Sequence, residues 1–497
     1  MLGFQTHTLA ALALACAGCT AIAPSSVPGS APAAPYAPVE LRPQDGRVFT
    51  PPAIGSSFAA MTALPTDAVN MASTSRWAGV LKDAAYMVEV PANWNGKLVM
   101  FAHGYAGTGA ALMVSPPAIR RHLVQSGYAW AASSYSTNYY DVRAGVEDTN
   151  ALALAFTSIA AQNGRPLAAP VRTYITGRSM GGHIAAAAVE AETLATAVNK
   201  VRYHAALPMC GVMADAELFN RFAGMQVAAL VLAGVPDQPF AQWAEVQAHV
   251  TSSLFTSFPT TASPGLPIIT TAKGAQFASV VKNLTGGERP MFAQGFGFGG
   301  SYRFAYNGFG GDGTINGILT QNILDTQALH YMIDGDVAAS SALNAAAQKL
   351  TAQPGANRLR ADGLRWIPAV NGAFAVPVLS IHTLGDMYVP FAMQQSYAKR
   401  AAARGSSGML VQRAQRGAAH CDFTVAEQVE SFEALATWEQ GGTKPLGDDV
   451  LTAAVVAAPS YGCTFTNNAT GPDDVKSTVD LRARIAATTP ACPARAR

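Results

Sequence analysis

Val171-Arg-Thr-Tyr-Ile-Thr-Gly-Arg-Ser-Met-Gly-Gly-His183 is the stretch whose reading decides the fold. The β-branched and aromatic residues from Val171 to Thr176 predict a strand. That strand runs directly into Gly177-Arg178-Ser179-Met180-Gly181, and an Ala-rich helical pattern from Ile184 to Thr193 follows. A strand, a turn too tight for side chains around the serine, and a helix form the setting in which a serine hydroxyl is presented as a nucleophile. The helix N-terminus behind it adds unpaired N–H groups and partial positive charge. The pentapeptide alone is weak evidence. With 45 glycines in 497 residues, G-x-S-x-G arises by chance in roughly a quarter of such chains. Its setting raises its weight, and the rest of the chain tests it.

Working outward, strands alternate with helical segments. Ala84 to Val90 and Lys97 to Ala102 read as strands joined by Pro91–Gly96, where Asn95-Gly96 is a hairpin signal. A Gly-rich loop follows at His103-Gly104-Tyr105. Next come a helical stretch near 117–125, a strand at 128–134, a helix at 151–163, the strand before Ser179, and a strand at 205–209. The rhythm returns with Val376–His382, a helix at 391–404, a strand at 409–413 and a helix at 425–440. Such alternation predicts βαβ units: an α/β fold with a mainly parallel sheet and helices on both faces. Between Met213 and Gly372 the text is mostly helical, so residues 76–212 and 373–445 read as one catalytic domain interrupted by a cap at 213–372. Within that cap, Pro290–Gly313 carries Phe292, Phe296, Phe298, Tyr302, Phe304, Tyr306 and Phe309 among many glycines. These aromatics read either as a substrate pocket or as the cap's own core. Residues 446–497 form a tail without a clear pattern.

The N-terminus reads as an export signal over residues 1–23. Leu9–Ala17 is a short apolar core, too short to span a bilayer as a helix. It ends at Cys16-Ala-Gly-Cys19, which resembles a bacterial lipoprotein processing site with Cys19 as the lipidated residue, although a Cys stands where Leu is usual and no basic residue precedes the core. An ordinary cleaved signal is the alternative, and both place the protein outside the cytoplasm: periplasm, outer-membrane lipoprotein or extracellular. Residues 24–75, rich in Pro, Ala and Ser at their start, read as a tether. Charged residues are only 13% of the chain, about half the usual share, and the net charge is +2 with no basic block. That balance argues against nucleic-acid binding. Export permits disulfides. Setting aside Cys16 and Cys19, four cysteines remain, Cys210, Cys421, Cys463 and Cys492, which allow three pairings.

A serine hydroxyl needs a base to take its proton and a carboxylate to orient that base. Ser179, Asp386 and His420 each follow a predicted strand, and the 34 residues between the last two accommodate one helix and one strand. His420 is the one histidine with both the order and the loop position; His183, on the helix behind the serine, reads as a core residue. Asp237 is the main rival acid, because Ala228–Ala233 can be read as a strand, and Asp422 is too close to His420 in sequence to orient it easily. The oxyanion donors expected are the N–H groups of Met180, just after the nucleophile, and of Tyr105, in the loop after His103-Gly104. No residues cluster with metal-ligand spacing, and this chemistry needs no cofactor.

Pro91-Ala-Asn-Trp-Asn-Gly-Lys97, His103-Gly104, Gly177–Gly181, His382–Asp386 and His420-Cys-Asp-Phe-Thr424 together resemble an exported bacterial serine esterase of the α/β-hydrolase superfamily. The Trp-Asn-Gly turn and the cysteine after the histidine resemble tannase and feruloyl-esterase relatives; His-Gly and Ser-Met-Gly-Gly look more like polyester depolymerases. In the first branch a cysteine beside the serine bridges to the one beside the histidine. Here Arg178 occupies that place, so the resemblance implies another partner. Cys210 ends the strand expected next to that of the nucleophile, so Cys210–Cys421 is expected, with Cys463–Cys492 stapling the tail. The resemblance implies hydrolysis of small or polymeric carboxylic esters, apolar or aromatic, through an acyl-enzyme. An exported peptidase or acyltransferase would share the triad, and a non-catalytic surface lipoprotein is the remaining class. Oligomeric state is not legible.

Overall fold

The structure is a computed structural model that describes residues 46–259, 267–297 and 301–487, with Thr489 and Cys492. The signal segment, Cys19, the first half of the tether and Phe298 lie outside the described residues.

Eight strands form the central sheet: β1 (Ser75–Leu81), β2 (Ala84–Val90), β3 (Lys97–Ala102), β4 (Ala129–Ser133), β5 (Arg172–Arg178), β6 (Ala205–Met209), β7 (Val378–Thr383) and β8 (Leu410–Gln415). Their order is β1-β2-β4-β3-β5-β6-β7-β8. The β1–β2 and β2–β4 pairs are antiparallel and every other pair is parallel. This is the mainly parallel, helix-covered sheet of the α/β-hydrolase fold. The inner strands are apolar without alternation, as burial on both faces requires: Leu98-Val-Met-Phe-Ala102 of β3 and all of β4, β6 and β7 are buried.

The expected hairpin at Asn95-Gly96 does not form. The chain turns there, with Gly96 at φ +80°, but β4 inserts between β2 and β3, pairing with both. The hairpin is β1–β2 instead, turned at Lys82-Asp83 with Lys82 at φ 53°. Turn chemistry sets a reversal of direction, whereas the buried β4 sequence Ala-Trp-Ala-Ala-Ser decides which strand lies alongside.

The helix expected at 151–163 runs Val142–Gln162 and begins where Asp141 accepts from the Ala144 N–H. The helix after Ser179 covers only Met180–Ala187. It breaks at 188–190, where Glu190 turns inward to accept the N–H groups of Gly372 and Ala373, at 2.8 and 2.9 Å, and a second helix runs Ala191–Thr196.

The 213–372 stretch holds the helices Glu217–Ala233, Trp243–Leu254, Ala272–Leu284, Phe292–Gly297, Tyr302–Asn307 and Val337–Ala346, with a two-stranded ribbon of Phe255–Ser257 and Ile269–Thr270. Phe296, Tyr302, Tyr306 and Phe309 are buried in a cluster with Trp243 and Phe277, which is the cap-core reading of those aromatics. The later part differs: Ile315, Ile318, Leu319, Trp366 and Ile367 join the core cluster of the sheet. The C-terminal segment contains the helices Ala453–Val456 and Lys476–Ala486. It returns to the sheet through Asp448, which accepts from the Ala414 N–H at 2.7 Å.

Candidate active site

Ser179 sits between β5 and the helix Met180–Ala187 with φ 59° and ψ −124°, a backbone conformation that costs a non-glycine residue roughly 1–3 kcal/mol. Its surroundings over-determine it. A Cβ at Gly177 would lie 2.1 Å from the Gly181 carbonyl oxygen, and one at Gly181 would lie 2.0 Å from that of Ala102. The Ser179 N–H donates to Met209 O at 3.0 Å, and its carbonyl accepts from Gly182 and His183. The turn is thus wedged between β3 and β6, and only glycine at both flanks lets the backbones approach so closely.

Three side chains from separate loops converge here. His420 Nε2 lies 2.7 Å from Ser179 Oγ, and His420 Nδ1 lies 2.6 Å from Asp386 Oδ2. With the ring proton on Nδ1, the imidazole donates to Asp386 and its Nε2 accepts the serine hydroxyl. Asp386 is fully buried, while the His420 side chain keeps 19% of its surface exposed. The other Asp386 oxygen accepts from the N–H groups of Tyr388 and Val389, at 3.0 and 2.9 Å. It also accepts from the Ser301 hydroxyl at 3.4 Å, so the buried carboxylate is not left unpaired.

The rival residues stand apart from this chain of contacts. Ala228–Ala233 is the end of a helix, and Asp237 is exposed in the turn beyond it. Asp422 is buried and lies 3.5 Å from Arg482. His183 is buried between Tyr140 Oη at 2.9 Å and the Pro368 carbonyl at 2.7 Å. His382, also buried, faces the Val389 carbonyl, and desolvation pulls its pKa down to about 4, so it stays neutral.

Met180 opens the helix, where the first N–H groups have no intrahelical partner. The His103–Tyr105 loop is held against Ser179: a Cβ at Gly104 would lie 3.1 Å from Ser179 Cβ. Tyr135 stacks on the His103 ring at 4.2 Å and donates to the His103 carbonyl at 2.9 Å.

Cys210 is bonded to Cys421, and Cys463 to Cys492. The first bridge ties the end of β6 to the residue after His420. Among the described residues the one group of three metal-type donors is Cys210, His420 and Cys421. Its two sulfurs are bonded to each other and are not thiolate donors. The tail also braces this loop: buried Arg482 pairs with Glu427 at 2.9 Å and donates to the Asp422 carbonyl.

Sequence reasoning missed the residues that support the Asp386 loop. Ser301 Oγ accepts from the Met387 N–H at 2.8 Å. Arg289 is buried and donates to the carbonyls of Leu384 and Gly287, both at 2.8 Å, placing a guanidinium beneath the Asp386 loop. Tyr388 sets its ring edge-on to His420 at 5.4 Å, with Phe222 stacked on it at 6.1 Å and Phe304 edge-on at 6.3 Å. Ser301, Arg289, Phe222 and Phe304 come from the insertion, 82 to 164 positions before Asp386. The aromatic–glycine stretch at 290–313 hinted at Ser301 and Phe304; no local signal marked Phe222 or Arg289.

No family model matches the chain, and no curated protein does. Among solved structures it is similar to feruloyl esterase B from Aspergillus oryzae, at 14% identity and TM-score 0.41 over 75% of this chain and 81% of that one. It is also similar to esterase 2 of Thermogutta terrifontis, at 14% identity and TM-score 0.35 over 76% and 98%. A third is Candida antarctica lipase A, at 13% identity and TM-score 0.33 over 83% and 84%. The strand order and the turn at Ser179 give this chain the α/β-hydrolase fold.

Proposed function

We propose that this protein is an exported serine hydrolase that cleaves carboxylic esters through an acyl-enzyme. The observation that carries the proposal is the unbroken run from Ser179 Oγ through the two His420 nitrogens to the buried Asp386, with contacts of 2.7 and 2.6 Å. His420 takes the hydroxyl proton as Ser179 attacks the ester carbonyl, then gives it to the departing alkoxide. Water repeats the sequence on the acyl-enzyme. Asp386 holds the reactive tautomer and stabilises the imidazolium. The N–H groups of Met180 and Tyr105 are assigned to the developing oxyanion; each such donor is worth on the order of 10²–10³ in rate.

Tyr388 beside His420, with Phe222 and Phe304 packed on Tyr388, favours an apolar or aromatic ester. Export through the N-terminal signal, with Cys19 as an anchor site, is supported by the two disulfides, which persist in oxidising compartments. The division into a catalytic domain, a cap at 213–372 and a bracing tail belongs to the same proposal.

A fluorophosphonate probe should label Ser179, and phenyl and alkyl esters should be hydrolysed faster than peptide anilides. Ser179→Ala should lose labelling and reduce kcat by on the order of 10⁶. Equal, negligible turnover by wild type and Ser179→Ala on every ester would falsify the proposal.

A further inference from the structure

We infer that Arg178 and the cavity it shares with His420 form a subsite for a carboxylate carried on the alcohol part of the ester. This rests on the ester-hydrolase reading above and narrows it to a substrate class. The cavity holds about 140 Å³ and is lined by Arg178, His420, Cys421, Asp473, Asp474 and Leu481 among others. A space of that size accepts a single ring.

Arg178 is the residue immediately before the nucleophile. Its side chain is open to solvent, and it has no hydrogen bond or ion pair among the described residues. Yet enough protein surrounds it for desolvation to lower its pKa. A group that is both wet and crowded lies in a concavity, and an uncompensated guanidinium there is best satisfied by a planar anion.

The acidic groups around the cavity are already engaged. Asp473 pairs with Arg121 at 2.7 Å, and Asp422 lies 3.5 Å from Arg482. Asp474 spends one oxygen on the Val425 N–H and the other on the Gly471 N–H, both at 2.7 Å. The side of the substrate is set by the chemistry. His420 must reach the departing oxygen, so a cavity lined by His420 extends from the alcohol part rather than from the acyl chain.

The test compares 4-butyryloxybenzoate with its uncharged methyl ester, reading the ratio of the two kcat/KM values in wild type, Arg178→Gln and Arg178→Lys. The ratio should fall about tenfold in Arg178→Gln, the scale of one charge-assisted hydrogen bond discounted for solvent access, and recover in part in Arg178→Lys. An unchanged ratio overturns the subsite. So does an Arg178 dependence that appears with an aryl hemisuccinate, whose carboxylate is on the acyl side. Failure of the esterase reading looks different: both esters are inert and Ser179 is unlabelled. Binding of 4-hydroxybenzoate, measured by calorimetry, then decides the subsite. Binding that weakens in Arg178→Gln sustains it, and absent or equal binding removes it.

Discussion

Gly295 lies in the insertion, 91 positions before Asp386, and carries no chemistry, yet it bears on the acid loop. A Cβ at Gly295 would stand 2.0 Å from the Gly385 carbonyl oxygen and 2.8 Å from Gly385 Cα. Carbon–oxygen contacts that short do not persist, so Gly295→Ala must part the helix Phe292–Gly297 from the Asp386 loop by about 1 Å. Gly385 cannot retreat alone, because its N–H donates to Gly417 O at 2.9 Å in the loop that leads to His420. The displacement therefore falls on the His420–Ser179 contact of 2.7 Å or the His420–Asp386 contact of 2.6 Å. A further ångström breaks either one, and misplacement on that scale costs about 10²-fold in rate. Overpacking adds about 1–3 kcal/mol of destabilisation. The assay is kcat/KM on a phenyl ester beside the denaturation midpoint, with Gly311→Ala as control, since a Cβ at Gly311 meets nothing within 4 Å. If Gly295→Ala is destabilised but keeps its kcat/KM within about threefold of the control, the insertion helix yields instead of the acid loop, and the reasoning is wrong.

Two further outcomes are expected. Cys210–Cys421 closes a 211-residue separation and Cys463–Cys492 a 29-residue one, so chain-entropy arguments assign about 5 and about 4 kcal/mol; urea midpoints of the two double-serine variants should rank in that order, and the reverse ranking would show that native strain dominates. Burial pushes the Glu190 carboxyl up to about 7 from an ordinary value of 4.5, so the folded state holds this proton more tightly than the unfolded chain. Stability should then fall as pH rises from about 4.5 to about 7, by on the order of 3 kcal/mol from this group, and Glu190→Gln should flatten that slope; a variant with the wild-type slope would assign it elsewhere.

Much of the scaffold was legible because its signals are local. β-Branched runs at 171–176 and 376–382, the glycines at 177 and 181, and the spacing of Asp386 from His420 are patterns within one strand, one turn or one βα unit. They were enough to predict a parallel α/β sheet and to nominate Ser179, Asp386 and His420. Local signals misled where partners are distant. Asn95-Gly96 announced a turn but could not say that β4 would lie between its strands, and Ala228–Ala233 resembled a strand until packing made it the end of a helix.

The sequence by itself therefore determined the kind of fold, the elbow at Ser179 and the order of candidate groups along the chain. Tertiary structure alone decided what surrounds them. Ser301 and Arg289 reach the Asp386 loop, Gly295 lets a helix of the 213–372 stretch press against Gly385, and Arg178 shares a cavity with His420 and has no side-chain partner among the described residues. The physical reason is range. Backbone preference and periodicity act over a few residues, whereas the partner of a buried charge or a close backbone contact is set by which distant segments the hydrophobic core brings together.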